Sequence, residues 1–66
     1  MTVKDIESRI EQIKACGRDY EAAHAAEDRL YVELLGAIAE GKCRNPKACA
    51  KAALATQKMD FPRYCA

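Results

Sequence analysis

The sequence predicts an all-α, three-helix domain: an antiparallel helical hairpin with a short third helix and a docked C-terminal tail. Three observations favour this fold. Apolar residues recur at helical spacings of three and four, no segment alternates as a strand would, and thirteen of the 66 residues are alanine. The length is that of a single helical domain, residues 1–66.

The first helix is predicted over residues 3–16. Thr2 is the expected N-cap, and Asp5 stands where a capping box places its acidic residue. A narrow apolar seam follows, made of Val3, Ile6, Ile10 and Ile13. We expect Gly17 to bend the chain into two antiparallel helices, the alternative being one long rod.

The second helix is predicted from Tyr20 to Glu40, with Asp19 as its N-cap and Gly41 as its stop. A helical wheel gives it a buried face comprising Tyr20, Leu30, Tyr31, Leu34, Leu35 and Ile38. His24 and Glu27 fall inside this apolar arc, and Glu21 and Asp28 lie at its edge. A carboxylate in the middle of an apolar face is the most unusual feature of the chain.

The third helix is predicted over residues 46–58, because Asn45 and Pro46 form an N-cap followed by proline at the first helical position. Its inner side carries small residues, Ala48, Cys49, Ala52, Ala53 and Thr56, which allow close helix packing. Pro62 disfavours further helix. The tail, residues 60–66, is therefore expected to dock onto the helices through Phe61 and Tyr64.

The polar cluster on the second helix has several interpretations. We favour a structural role, in which His24 and Glu27 hydrogen-bond to each other, to an arginine or to a tyrosine, with a polar hot spot for a partner as the next alternative. Glu21 and His24 also have the Glu-x-x-His spacing of di-iron bundles, but one histidine is too few without a second subunit. Acid–base chemistry at His24 lacks an accompanying nucleophile motif or phosphate loop. We therefore predict a protein that is not an enzyme, with no cofactor, catalytic residue or metal ligand.

The four cysteines, Cys16, Cys43, Cys49 and Cys65, are expected to be reduced thiols that pack as small apolar side chains. A zinc site using Cys43, Cys49 and a further cysteine is a weaker alternative, because five residues separate the first two. A disulfide framework is the third possibility.

The net charge of +1 conceals an asymmetry. Residues 1–41 carry five basic and nine acidic side chains, whereas residues 42–66 carry six basic side chains and one acid. Lys47, Lys51 and Lys58 share one face of the third helix. The two halves could attract each other within the chain or across a dimer, or the basic face could bind an acidic protein or nucleic acid. A helix-turn-helix mode is disfavoured, because the third helix lacks side chains that read base edges.

Only sixteen side chains larger than alanine and cysteine are available for an apolar core. Because so thin a core gives marginal stability, we expect a homodimer, with the isoleucine seam of the first helix as a coiled-coil surface. No apolar run approaches the roughly 20 residues that span a bilayer, and no signal peptide is recognised. A cytoplasmic protein that does not associate with membranes is the expectation.

Two motifs resemble those of a group of small uncharacterised proteins encoded by bacteriophages, prophages and their bacterial hosts. One is Ala23-His24-Ala25-Ala26-Glu27-Asp28, matching A-H-x-x-E-D, and the other is the ending Asp60-Phe61-Pro62-Arg63-Tyr64-Cys65-Ala66, matching D-F-x-R-W-C-A with tyrosine for tryptophan. The resemblance covers residues 20–66 and implies a mobile-element setting without a mechanism. It also implies that tail and cluster form one unit, in which Arg63 pairs with Glu27 or Asp28.

The expected function is that of a non-enzymatic accessory or regulatory protein of phage type that binds another protein, such as a host factor. Two alternatives stay open. One is a small nucleic-acid-binding regulator that uses the basic third helix, and the other is a metal-binding helical dimer.

Overall fold

The computed structural model describes residues 1–61, and within them the all-α prediction is confirmed. Three α-helices follow in order: α1 (Val3–Lys14), α2 (Tyr20–Ala39) and α3 (Pro46–Ala53), with a 3₁₀ helix, Leu54–Lys58, continuing the last. Each α-helix packs against the other two. No described helix has the length and apolar character needed to cross a membrane.

All three predicted helix starts are confirmed, because short polar side chains satisfy backbone N–H groups that lack a partner in the first turn. The Thr2 hydroxyl accepts from the Asp5 N–H at 3.2 Å, and the Asp5 carboxylate accepts from the Thr2 N–H at 2.9 Å. Asp19 and Asn45 each accept from the N–H three residues later, at 3.1 and 3.2 Å.

Glycines separate the helices. Gly17 has φ 59° and Gly41 has φ 71°, a left-handed conformation that other residues adopt at a cost. The first and second helices are therefore distinct, as the predicted bend requires. α1 ends at Lys14, two residues earlier than predicted, because the N–H groups of Cys16 and Gly17 donate to carbonyls three residues back and tighten the turn.

The third helix also differs from the prediction of one α-helix over residues 46–58. The α-helical part ends at Ala53, and residues 54–58 wind as 3₁₀. Thr56, in this tighter segment, is fully buried, and its hydroxyl hydrogen-bonds to that of Tyr31 on α2. We attribute the change of winding to this tertiary contact, since alanine-rich sequence alone favours a continuing α-helix.

The core draws on every element. Its buried apolar side chains are Ile6, Ile13, Ala23, Leu30, Leu34, Cys49, Ala53 and Phe61. Ile6 and Ile13 belong to the seam that was predicted to face a second subunit, but they pack inside their own chain. A homodimer, which the thin core still predicts, has to use another surface.

The predicted buried face of α2 is wrong at two positions. Leu35 is 66% exposed and Tyr20 is 40% exposed. The residues that α1 and α3 cover instead are Ala23, His24, Glu27, Leu30 and Leu34, with Tyr31 and Ile38 partly buried beside them. The covered arc is thus centred nearer Leu34, and Leu35 lies at its solvent-exposed edge.

The N-terminus is fastened to the connector between α2 and α3. The Met1 ammonium donates to the Lys42 carbonyl at 2.7 Å, and the Arg44 N–H donates to the Met1 carbonyl at 3.1 Å. These bonds hold both neighbours of Cys43 in place.

Candidate binding site between the second and third helices

A polar cavity of about 340 Å³ lies beside the inner face of α2. Its lining residues are His24, Glu27, Asp28, Tyr31 and Gln57. His24 is 8% exposed and Glu27 is 4% exposed, so the two polar residues predicted inside the apolar arc are indeed buried. The structure thereby brings three of the predicted cluster residues together around one cavity.

His24 lies beside a carboxylate of its own helix. Its Nε2 lies 3.4 Å from Oδ2 of Asp28, one turn further along the helix, and the Asp28 side chain is largely exposed. The interaction is an ion pair when the imidazole is protonated. Glu21, by contrast, is exposed and is not among the described residues that line the cavity.

An apolar cavity of about 260 Å³ lies on the other side of Tyr31. It is lined by Tyr31, Leu34, Leu35, Ala50, Ala53 and Leu54. Small alanines on α3 form one wall, and the leucines of α2 form the other. We call the two cavities together the α2–α3 groove, with an apolar end and a polar end that meet at Tyr31.

Tyr31 is held by its hydroxyl. This group hydrogen-bonds to the Thr56 hydroxyl and lies 3.5 Å from the Ala53 carbonyl oxygen, to which it can donate. A fixed aromatic ring between an apolar and a polar cavity presents a rigid contact surface, because little side-chain freedom is left to lose on binding. The sequence predicted Tyr31 as core but did not predict its partner.

Two exposed leucines flank the apolar end. Leu35 is 66% exposed on α2 and Leu54 is 53% exposed at the start of the 3₁₀ helix. Val32, also exposed, lies on α2 but does not line the groove. The wheel could have shown Leu35 at the edge of the buried face, whereas the exposure of Leu54 depends on where α3 packs.

The predicted basic face is exposed. Lys47, Lys51 and Lys58 are all solvent-accessible, and Leu54 lies among them on the helix surface. The ion pairs found within residues 1–61 join other residues, namely Arg9 with Glu33, Lys14 with Glu11, and His24 with Asp28. The attraction between oppositely charged halves therefore does not engage these three lysines in the described part of the chain.

Among residues 1–61, no group of three or more histidine, cysteine or acidic side chains is placed to hold a metal ion. Cys16, Cys43 and Cys49 are free thiols. Cys49 is completely buried, and burial together with the neighbouring Cys43 thiol raises its pKa above the ordinary value.

Of the residues predicted to dock the tail, Phe61 is described, and it is buried in the core cluster. Arg63, Tyr64 and Cys65 lie outside the described residues. The pairing of Arg63 with Glu27 or Asp28, and the contact of Tyr64, therefore stay predictions.

No family model, curated protein or solved structure gives a significant match to this chain. The features of the chain that bear on its function are the groove and the charges beside it.

Proposed function

We propose that the protein is a non-enzymatic accessory protein that acts by protein–protein binding, with the α2–α3 groove receiving an amphipathic helix that carries acidic residues along one flank. The observation behind this proposal is an apolar cavity flanked by the exposed Leu35 and Leu54, with the exposed Lys51 next in sequence to its lining residue Ala50. The resemblance to phage and prophage proteins supports a host protein as the source of that helix.

The apolar end of the groove would supply binding free energy. Completely burying an exposed leucine contributes about 1.5–3 kcal/mol, and two leucines flank this cavity. The floor needs no large rearrangement, because Tyr31 is already held by its hydroxyl. Apolar side chains on one face of a partner helix match these features.

The lysines would select the partner's charge. Lys47 and Lys58 are separated by about 19 Å along the helix axis, since the rise is 1.5 Å per α-helical residue and 2.0 Å per 3₁₀ residue. An acidic flank of similar length on a helix in the groove would face all three lysines. Such pairs contribute more to orientation and association rate than to affinity.

Nucleic acid is the weaker candidate for this surface. A phosphate backbone would pair with the lysines but would leave the leucines and the apolar cavity without a role. We therefore treat duplex binding as an outcome of the test.

The proposal is tested with a labelled helical peptide of about 14 residues, which spans the lysine row, with leucines on one face and glutamates on its flank. Leu35→Glu should weaken its binding about tenfold, which corresponds to about 1.4 kcal/mol. Val32→Glu makes the same chemical change on the same helix outside the groove and should leave affinity nearly unchanged. Fluorescence anisotropy measures both.

Charge is tested in the same assay. Lys51→Glu should weaken binding, and a peptide with lysines in place of glutamates should bind poorly. Equal losses in Leu35→Glu and Val32→Glu, or preference for the lysine peptide, would overturn the proposal. So would duplex DNA binding that depends on Lys51 and not on Leu35, or a homodimer that Leu35→Glu dissociates, since the occupant would then be a second copy.

A further inference from the structure

Two thiols lie where the connector meets α3. Cys43 precedes the N-cap residue Asn45 in sequence, and Cys49 follows it. Cys43 is half-buried in the connector, and Cys49 is fully buried early in α3. Cys49 belongs to the core cluster and Cys43 packs against it. The Cys43 thiol is near enough to contribute to the raised pKa of Cys49. Neither is used by the proposed binding groove.

The backbone around this pair is well fixed. Lys42 donates its N–H to the Ala37 carbonyl at 2.8 Å and accepts from the Met1 ammonium, while Arg44 donates to the Met1 carbonyl. The Cys49 N–H donates to the Asn45 carbonyl at 2.9 Å. These hydrogen bonds fix the backbone on both sides of Cys43, and the Cys43 side chain packs against the core cluster that contains Cys49.

The two thiols differ in access. Cys43 has a partly exposed position between the exposed residues Lys42 and Arg44, whose positive charges attract anionic reagents. Cys49 has no exposed surface. A dissolved disulfide can therefore reach Cys43 first, and Cys49 can react only with the Cys43 sulfur of the resulting mixed disulfide.

We propose that Cys43 and Cys49 form a modification site that is converted to an intrachain disulfide by a low-molecular-weight disulfide such as oxidised glutathione. The Cys43 thiolate attacks one sulfur of oxidised glutathione, so that a mixed disulfide forms and one glutathione thiolate leaves. The Cys49 thiolate then attacks the Cys43 sulfur, and the second glutathione leaves. The two protein thiols lose two protons and two electrons, and one glutathione disulfide becomes two thiols.

The environment of Cys49 makes ring closure pH-dependent. Because burial raises the pKa of the Cys49 thiol, its thiolate fraction is small at neutral pH. The closing step therefore accelerates as the pH rises, and the mixed disulfide at Cys43 precedes it.

The experiment treats the full chain with oxidised glutathione and follows intact mass. The expected end product contains the Cys43–Cys49 disulfide, and trypsin releases Cys43-Arg44 linked to Ala48-Cys49-Ala50-Lys51. Cys49→Ala should stop at the mixed disulfide, with one glutathione added at Cys43. Cys43→Ser should leave Cys49 as a free thiol, while Cys16→Ser should behave as the unaltered chain.

Circular dichroism of each variant establishes that it is folded before treatment. The proposal is overturned if folded protein keeps both thiols, if the mapped disulfide contains Cys16 or Cys65 in place of either, or if Cys49 is glutathionylated in Cys43→Ser. Cys43→Ser retains the buried Cys49, so it keeps the test decisive even if Cys49→Ala does not fold.

Discussion

Asp5 shows how much one exposed side chain can do at a helix start. Its carboxylate accepts from the Thr2 N–H while its own N–H donates to the Thr2 hydroxyl. The hydrogen bond from the Thr2 backbone, followed by that with the Thr2 side chain, lowers the pKa of Asp5 below its ordinary value of 3.8. The capping box could be predicted from sequence because all its atoms lie within four residues.

Asp5→Asn should therefore reduce the dependence of the unfolding free energy on pH in the acidic range. A carboxyl whose pKa is lower in the folded chain stabilises the fold above its unfolded pKa, and this contribution is lost as the pH falls through the folded pKa. We expect Asp5→Asn to be less stable than the unaltered chain at pH 7, with the difference shrinking below pH 3.8. Urea unfolding at several pH values measures it, and Glu7→Gln, an exposed residue of the same helix, is the control. A constant difference across this range would contradict the assignment.

His24 and Glu27 mark the limit of prediction at this scale. Their spacing placed them on the covered face of α2, and the structure confirms their burial. One of the residues around them, Gln57 from the 3₁₀ helix, lies about thirty positions away in sequence. No local pattern indicates which of those residues approaches.

At the scale of elements, the helices began where the capping residues indicated, but the faces they cover depended on packing. Ile13 and Leu35 were both predicted to lie on the apolar face of their helix. Ile13 is almost completely buried, whereas Leu35 is mostly exposed. The difference arises because α3 and α1 approach α2 around Leu34, leaving its neighbour at the edge.

Truncating these two side chains should have very different effects. Ile13→Ala removes buried methyl groups and leaves a cavity, which typically costs about 2–5 kcal/mol of unfolding free energy. Leu35→Ala should cost less than about 1 kcal/mol, because its side chain is already largely hydrated. Chemical denaturation followed by circular dichroism compares them. Similar losses for both would mean that Leu35 is covered, and would also weaken the case for an open groove.

At the scale of the whole molecule, residues outside the helices add contacts to the small core. The N-terminal ammonium binds the connector, and Phe61 reaches the core from beyond the last helix. Phe61 is the aromatic residue among the buried core residues and contributes more apolar area than the alanines beside it. Burial of Phe61 was predictable from Pro62 and the aromatic residues, but the position it occupies in the core was not.

Phe61→Ala should therefore destabilise the whole domain. Loss of a buried phenylalanine typically costs about 3–5 kcal/mol, comparable with the total stability of about 3–10 kcal/mol expected for a chain of this size. We expect a large fall in the thermal midpoint, measured by circular dichroism. Phe61→Leu, which retains an apolar side chain, should lose much less, and an unchanged midpoint in Phe61→Ala would show that Phe61 is dispensable for the core.

Local sequence was enough to predict the all-α class, the three helix starts, the bend at Gly17 and the burial of His24 and Glu27. Each of these depends on hydrogen bonds or side-chain spacing within a few residues, and residues that close in sequence are also close in space. Packing between distant segments set the 3₁₀ winding around Thr56, the exposure of Leu35, the lysines' lack of intrachain ion pairs within residues 1–61, and the proximity of the Cys43 and Cys49 thiols. These depend on how segments far apart in sequence pack, because small alanine side chains permit several close approaches between helices that local preference does not distinguish.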